Sequence, residues 1–252
     1  MHSELPAYCF NSSFPACPPK KMQFDRHYLL YSAKGVLRIE AEDRYWLLPP
    51  SRALWIPADT AIEIEISHPV QCCSILFAKD FINSNFSRCQ VLALPNVVKE
   101  MILHSRKWGP DCTEFDDYAK HFFQSIVHLC AELKDLPSEL WIPKGQSKRI
   151  KQALQHTQKN LSQPITFTDI AQHTATTERS LARAFKTETD MTWSQLLRHM
   201  RMIHAIELLS NLDVQMITIS LEAGYHSLSS FNRAFKEFTS LTPREFRSEY
   251  YL

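Results

Sequence analysis

Apolar positions along the chain change their period once. From Phe24 to Phe77 they come in short runs: Tyr28–Tyr31, Val36–Ile39, Arg44–Leu48, Ala53–Ile56, Ile62–Ile66 and Val70–Phe77. The punctuation between the runs is turn chemistry, with Ala33-Lys34-Gly35, Pro49-Pro50 and Pro57. Ile62-Glu63-Ile64-Glu65-Ile66 alternates apolar and charged residues, the period-2 pattern of a strand with one buried face. Short strands spaced this regularly predict a small β-barrel or sandwich. Ahead of them, residues 1–22 are rich in Pro, Ser and Phe without a period, which predicts an irregular arm. Behind them, residues 81–140 read as helical. Val97, Val98, Met101 and Ile102 make one amphipathic face, and Tyr118, Phe122, Ile126, Leu129 and Leu133 another. Two such faces serve equally as a cover for the strands or as a dimerisation surface. Pro137, Pro143 and Gly145 mark a linker. The expected division is an arm over 1–22, a strand-rich domain over 23–140, a linker over 141–146 and a helical domain over 147–252.

The helical domain contains a pattern within a pattern. From Gln215 to Arg247 a short apolar helix around Ile217 and Ile219 ends at Ala223-Gly224-Tyr225. Glycine turns there through positive φ without a Cβ penalty. Ser227 stands where an N-cap belongs, and Phe231, Ala234, Phe235 and Phe238 then recur at helical spacing. Asn232, Arg233 and Lys236 fall on the opposite face. A short helix, a turn and a second helix displaying planar hydrogen-bonders and cations is the layout of a helix-turn-helix. A helical hairpin with a solvated basic face has the same pattern. Fifty residues upstream the arrangement recurs: Thr177 matches Ser227, Leu181 matches Phe231, Arg183 matches Arg233, and Phe185-Lys186 match Phe235-Lys236. Ile170-Ala171 and Ile219-Ser220 lie in the preceding helices, and Met191-Thr192 matches Leu241-Thr242. Repetition of a whole supersecondary unit favours two DNA-reading units. The stretch Trp193–Leu209, with Leu196, Leu197, Met200, Ile203, Ile206 and Leu209 at helical period, joins them.

On these motifs, residues 147–252 resemble the DNA-binding domain of the AraC/XylS family of transcriptional regulators. The resemblance rests on Ile170-Ala171, on Leu181-x-Arg183-x-Phe185-Lys186, and on the helix around Trp193–Leu209. It rests also on Ala223-Gly224-Tyr225-x-Ser227, Phe231-x-Arg233-x-Phe235-Lys236 and Thr242-Pro243-x-x-Phe246-Arg247. The sequence departs from the family where glycine is usual, at Ala175, Asp190 and Ser240, and Ser220 replaces a small alanine. The segments Leu29-Leu30-Tyr31, Gly35-Val36-Leu37, Leu47-Leu48-Pro49-Pro50 and Trp55-Ile56-Pro57-Ala58 are similar to the cupin-like sensor domain of one branch of that family. The fold class implied is α+β: a small cupin-like β-barrel with helices, then an all-α domain of two helix-turn-helix units on one connecting helix.

Composition narrows the chemistry. The 252 residues carry a formal net charge of +1, so no bulk positive field announces nucleic acid. Specificity then rests on placed side chains. Arg179, Ala182, Arg183, Ser229, Ser230, Asn232 and Arg233 are the candidate base readers: arginine forks match guanine, and an alanine fits a thymine methyl. Thr177, Lys186, Ser227 and Lys236 are the candidate phosphate contacts, and Arg198 and Arg201 reach phosphates or are solvated. Seven cysteines without metal-type spacing read as reduced thiols. No signal-peptide pattern or bilayer-length apolar run is present, so a cytoplasmic location without membrane contact is expected. Cupin-type enzymes need converging His and carboxylate ligands. His27 stands alone and His68 precedes Pro69, so neither a metal, a cofactor nor a catalytic residue is assigned. His27, Tyr31, Trp46 and Trp55 are the candidate lining of a ligand pocket. The reading is a DNA-binding transcriptional regulator, not an enzyme, with double-stranded DNA, a small-molecule effector, a second copy of the chain and RNA polymerase as candidate partners. A cupin-type metalloenzyme with a helical appendage is the disfavoured alternative.

Overall fold

The computed structural model describes residues 4–42, 44–82, 86–133 and 141–251. The chain divides into two compact units, residues 1–42 with 46–138, and residues 43–45 with 139–252. Residues 134–140, where the sequence reading ends the first domain, lie outside the described residues.

In the first unit the strands are β1 (Ala7–Phe14), β2 (Cys17–Met22), β3 (His27–Lys34), β4 (Leu37–Ala41), β5 (Arg44–Leu48, whose first two residues fall in the second unit), β6 (Arg52–Ile56), β7 (Ile62–Ile66), β8 (Val70–Phe77) and β9 (Gln90–Ala93). One sheet runs β1-β8-β3-β6-β9, and the other contains β5, β4, β7 and β2 in that order. These are two antiparallel sheets with edges rather than one closed barrel. β1 and β9 are the edges of the first sheet and β2 is an edge of the second. The sequence of β2 accounts for its position. Pro18 and Pro19 cannot donate to a further neighbour, and proline in sheets is confined to such edges. The pairing of β2 with β7 also shifts register between Cys17 and Lys20.

Two expectations are corrected here. The N-terminal arm is not irregular. β1 pairs with β8 along its whole length, Ala7 opposite Phe77 to Phe14 opposite Val70. Its polar half, Asn11-Ser12-Ser13, has no strand propensity of its own and is held by that ladder. The span 81–140 is not helical throughout, because Gln90–Ala93 pairs with β6 as an edge strand. Helices α1 (Asn96–His104) and α2 (Asp117–Leu133) follow. They pack on one face of the first sheet. Leu29, Tyr31, Trp55, Cys73, Ile75 and Phe77 from the sheet share a core with Val98, Ile102, Phe123, Ile126 and Cys130.

The second unit begins with the short strand β10 (Trp141–Pro143). Beside it, the Arg44 guanidinium lies 4.4 Å from the centre of the Trp141 ring. Then come α3 (Lys148–Lys159), α4 (Phe167–His173), α5 (Glu178–Thr189), α6 (Trp193–Leu209), α7 (Met216–Glu222), α8 (Leu228–Thr239) and α9 (Pro243–Tyr250). Ile150, Leu154, Ile170, Leu181, Phe185, Trp193 and Leu196 form the core around the first half of this unit. Phe231, Phe235 and Phe246 are buried in the second half, with the Phe235 and Phe246 rings 5.5 Å apart. Leu196, Met200, Ile203, Ile206 and Leu209 of α6 are all buried, so the connecting helix serves both halves.

Candidate nucleic-acid interface

The repeat seen in the sequence is a repeat of atoms. Thr177 caps α5 by accepting from the Ser180 amide, and Ser227 caps α8 by accepting from the Ser230 amide. Near the far end of α5 the Thr189 hydroxyl donates to the Phe185 carbonyl at 2.7 Å and accepts from the Met191 amide at 3.3 Å. In α8 the Thr239 hydroxyl does the same with Phe235 at 2.9 Å and Leu241 at 3.3 Å. Both helices end in a left-handed residue, Asp190 with φ 55° and Ser240 with φ 69°. Thr192 and Thr242 then open the next helix with matching capping boxes, closed by Gln195 and Glu245. α5 and α8 are therefore aligned residue for residue, fifty apart.

The preceding turns match as well, until one residue intervenes. The Thr176 amide donates to the Ala171 carbonyl and the Tyr225 amide to the Ser220 carbonyl, both at 2.9–3.0 Å. The first turn passes through Ala175 at φ 48° and the second through Gly224 at φ 75°. A Cβ on Gly224 would stand 2.2 Å from the Leu161 carbonyl oxygen, so only glycine fits. His226 is the extra residue of the second turn, exposed just before the Ser227 cap. The offset of 49 residues before the turn and 50 after it carries that signal in the sequence.

On each second helix the buried stripe fixes what is displayed. With Leu181 and Phe185 fully buried, Arg179, Ala182, Arg183 and Lys186 are exposed on one face of α5. With Phe231 and Phe235 buried, Ser229, Arg233 and Lys236 are exposed on α8 and Asn232 is half-buried beside them. The structure thus brings the candidate base readers together in two equivalent clusters. Two candidates, Ser230 and Lys186, have other engagements. The Ser230 hydroxyl lies 2.8 Å from the Ser227 oxygen and donates to the Ser227 carbonyl at 2.9 Å, so it serves the cap. Its equivalent, Ser180, meets the Thr177 hydroxyl at 3.0 Å. Lys186 is ion-paired with Asp190 at 2.8 Å.

Arg198 and Arg201, read from sequence as phosphate contacts or solvated side chains, are both engaged elsewhere. Arg198 pairs with Glu237 of α8. Arg201 donates to the carbonyls of Leu161 at 3.0 Å and Gln163 at 3.1 Å, just past α3. Arg247 does the same past α6, to Leu209, Asn211 and Val214. Each guanidinium ties down carbonyls of the chain just past a helix C-terminus, where a cation is also electrostatically favoured. Glu188 of α5 accepts from the Gln146 and Ser147 amides at 2.7 and 2.8 Å, fixing the entry to α3.

The candidate ligand residues of the first unit separate. His27, Tyr31 and Trp55 lie on the face of the first sheet that α1 and α2 cover, with the His27 and Trp55 rings 6.1 Å apart. Trp55 is stacked at 4.2 Å on Phe86. Trp46 belongs to β5 of the other sheet and is outside that core. The reading assumed one inward face, but successive strand residues alternate between faces, and both faces of the first sheet are buried. The His27 Nδ1 accepts from the Ala58 amide at 3.3 Å, and burial, with Lys79 nearby, holds its pKa below the ordinary value. Among the described residues no group of three or more His, Cys, Asp or Glu is gathered as for a metal. Among them, too, no helix is long and apolar enough to cross a membrane.

Comparison with known proteins agrees with this geometry. A family model described as a helix-turn-helix domain matches residues 170–249. The transcriptional activator AarP of Providencia stuartii is 30% identical over 102 residues, which is 40% of this chain and 76% of AarP. The regulator ArgR of Pseudomonas aeruginosa is 32% identical over 101 residues, and the match spans 31% of that relative's length. The regulator NimR of Escherichia coli K12 is 23% identical over 247 residues, 96% of this chain and 87% of NimR. The chain belongs to the AraC/XylS family of transcriptional regulators.

Proposed function

We propose that the protein is a sequence-specific DNA-binding regulator of transcription that reads two successive major-groove segments with α5 and α8. The observation that carries this is the exact register of the two helices. Arg179, Ala182, Arg183 and Lys186 recur as Ser229, Asn232, Arg233 and Lys236 on equivalent exposed faces. Arg183 and Arg233 present their guanidinium forks to guanine edges, Arg179, Ala182, Ser229 and Asn232 refine base choice, and Lys236 with the two N-cap residues holds phosphates. Selection from a pool of random duplexes tests it. An enriched motif is expected, and failure to enrich any sequence overturns the reading.

The first unit is proposed to sense a small organic effector or to pair two chains. Support comes from its own core, built on a sheet and two helices, and from the NimR match, which runs through both units. In this proposal the chain acts in the cytoplasm as a homodimer, meets RNA polymerase at its promoters and catalyses no reaction.

A further inference from the structure

Seven thiols are free, and two of them touch. The Cys9 and Cys73 sulfurs are 3.6 Å apart. Cys9 of β1 is paired with Ile75, and Cys73 of β8 with Asn11, so the two are diagonal neighbours on the sheet face beneath the helices. Cys72 points to the other face and does not compete for either. The 3₁₀ turn Ser105–Lys107 lies against this part of β1 and is tied to it by the Cys9 amide, which donates to the Trp108 carbonyl at 2.7 Å. Both sulfurs are shielded, Cys9 1% and Cys73 0% exposed, but β1 is an edge strand and Arg106 above the pair is a surface residue. Edge strands open locally at small cost, and a hydroperoxide is small.

The surroundings single out Cys73. Burial pushes Cys72, Cys89 and Cys130 up to about 12. Cys73 is instead lowered to about 7, because its hydrogen bond with Cys9 and the Arg106 guanidinium alongside together outweigh burial. Cys9 moves the other way, raised by its hydrogen bond to Cys73 and by burial. In the resting pair the Cys73 thiol also reaches the Ile102 carbonyl at 3.3 Å. A nucleophilic sulfur beside a protonated thiol is the pairing that turns an oxidised cysteine into a disulfide.

We propose that Cys9 and Cys73 form an oxidant-responsive dithiol that reacts with hydroperoxides. The Cys73 thiolate attacks the outer peroxide oxygen. An S–O bond forms, the O–O bond breaks, and the leaving alkoxide or hydroxide takes a proton as alcohol or water. The Cys9 sulfur then attacks the Cys73 sulfenic acid. The S–S bond forms, the S–O bond breaks, and hydroxide leaves with the Cys9 proton as water. Two thiols and one hydroperoxide give one disulfide, one water and one alcohol or second water. Closing the sulfurs from 3.6 Å to about 2.05 Å draws β1 tighter onto β8.

Peptide mapping of the full chain tests this. The reduced protein is treated with equimolar hydrogen peroxide, blocked with an alkylating agent and digested. A cross-link between the peptides holding Cys9 and Cys73 is expected. It should persist in Cys17→Ser and Cys72→Ser and vanish in Cys9→Ser and Cys73→Ser. Dimedone should label Cys73 in Cys9→Ser, and dithiothreitol should reverse the wild-type link. If wild-type protein is oxidised first at the more exposed Cys17 or Cys112, or shows no Cys9–Cys73 link, the proposal is overturned. That outcome needs no folded variant to interpret.

Discussion

Three residues of the second unit hold backbone conformations that favour glycine: Ala175, Asp190 and Ser240, with φ of 48°, 55° and 69°. A Cβ in that region costs about 1–2 kcal/mol, least for Asp, whose side chain bonds locally. Ala175→Gly and Ser240→Gly should each therefore raise stability by about 0.5–1 kcal/mol once the greater freedom of unfolded glycine is subtracted. A urea titration reads this, and a lower midpoint in either variant would contradict the strain. Gly224→Ala should do the opposite, losing more than about 2 kcal/mol, because its Cβ meets the Leu161 carbonyl and the Arg201 guanidinium. The two lysines also differ at this scale. Asp190 neutralises Lys186, whereas serine occupies the equivalent position after Lys236. Lys236→Ala should weaken binding to every sequence and flatten its salt dependence by about one counterion, and Lys186→Ala by less. Equal slopes would show that the Asp190 pair is irrelevant.

Helix starts in the second unit depend on carboxylates that accept from backbone amides. Asp169 is held below its ordinary value of 3.8 by the Thr166 hydroxyl and amide, and Glu245 below 4.5 by the Thr242 amide and hydroxyl. For Glu188 burial opposes the shift, but the Ser147 hydroxyl and the two amides it accepts from prevail. A depressed folded-state pKa gives stability that is complete above the unfolded value and lost as pH falls through the folded one. The melting temperature should fall in two stages as pH drops: first below about 6.5, because His27 with its depressed pKa favours the folded state only while its imidazole is neutral, and again below about 4.5 as these carboxylates protonate. Glu188→Gln should melt lower at neutral pH and show a shallower acid loss, and an unchanged pH profile would remove Glu188 from the account. These caps were legible in the sequence, since Thr166-x-x-Asp169 and Thr242-x-x-Glu245 are local signals, although the sequence reading did not name them. So were the second helices, whose buried and exposed stripes follow from periodicity. β1 and β9 were not, because Asn11-Ser12-Ser13 and the four residues of β9 take strand form from partners distant in sequence. The faces of Tyr31, Trp46 and Trp55 were also hidden. Alternation assigns relative faces within one strand, but it does not say which face meets the helices. Arg201 looked like any basic residue on a helix, and only the folded chain puts its guanidinium on the carbonyls past α3.

At the scale of the molecule, the second unit has its own core and its own capped helices. Residues 145–252 produced alone should fold and bind DNA, more weakly than the full chain if two chains act together. A fragment helical by circular dichroism yet unable to bind duplex at low salt would separate the fold from the function. The joining helix α6 has 17 residues, a rise of about 25 Å. In the proposed reading it joins α5 and α8 so that they meet successive major-groove segments on one side of the duplex, about 34 Å or 10 base pairs apart. The most direct measurement is binding-site selection with wild type, Arg183→Ala and Arg233→Ala in parallel. Wild type should enrich two short sub-sites about 10 base pairs apart, and each variant should lose about 1–3 kcal/mol and relax base preference at one sub-site only. Base preference unchanged in both variants, or losses equal on selected and random DNA, would contradict the assignment of these arginines as paired base readers.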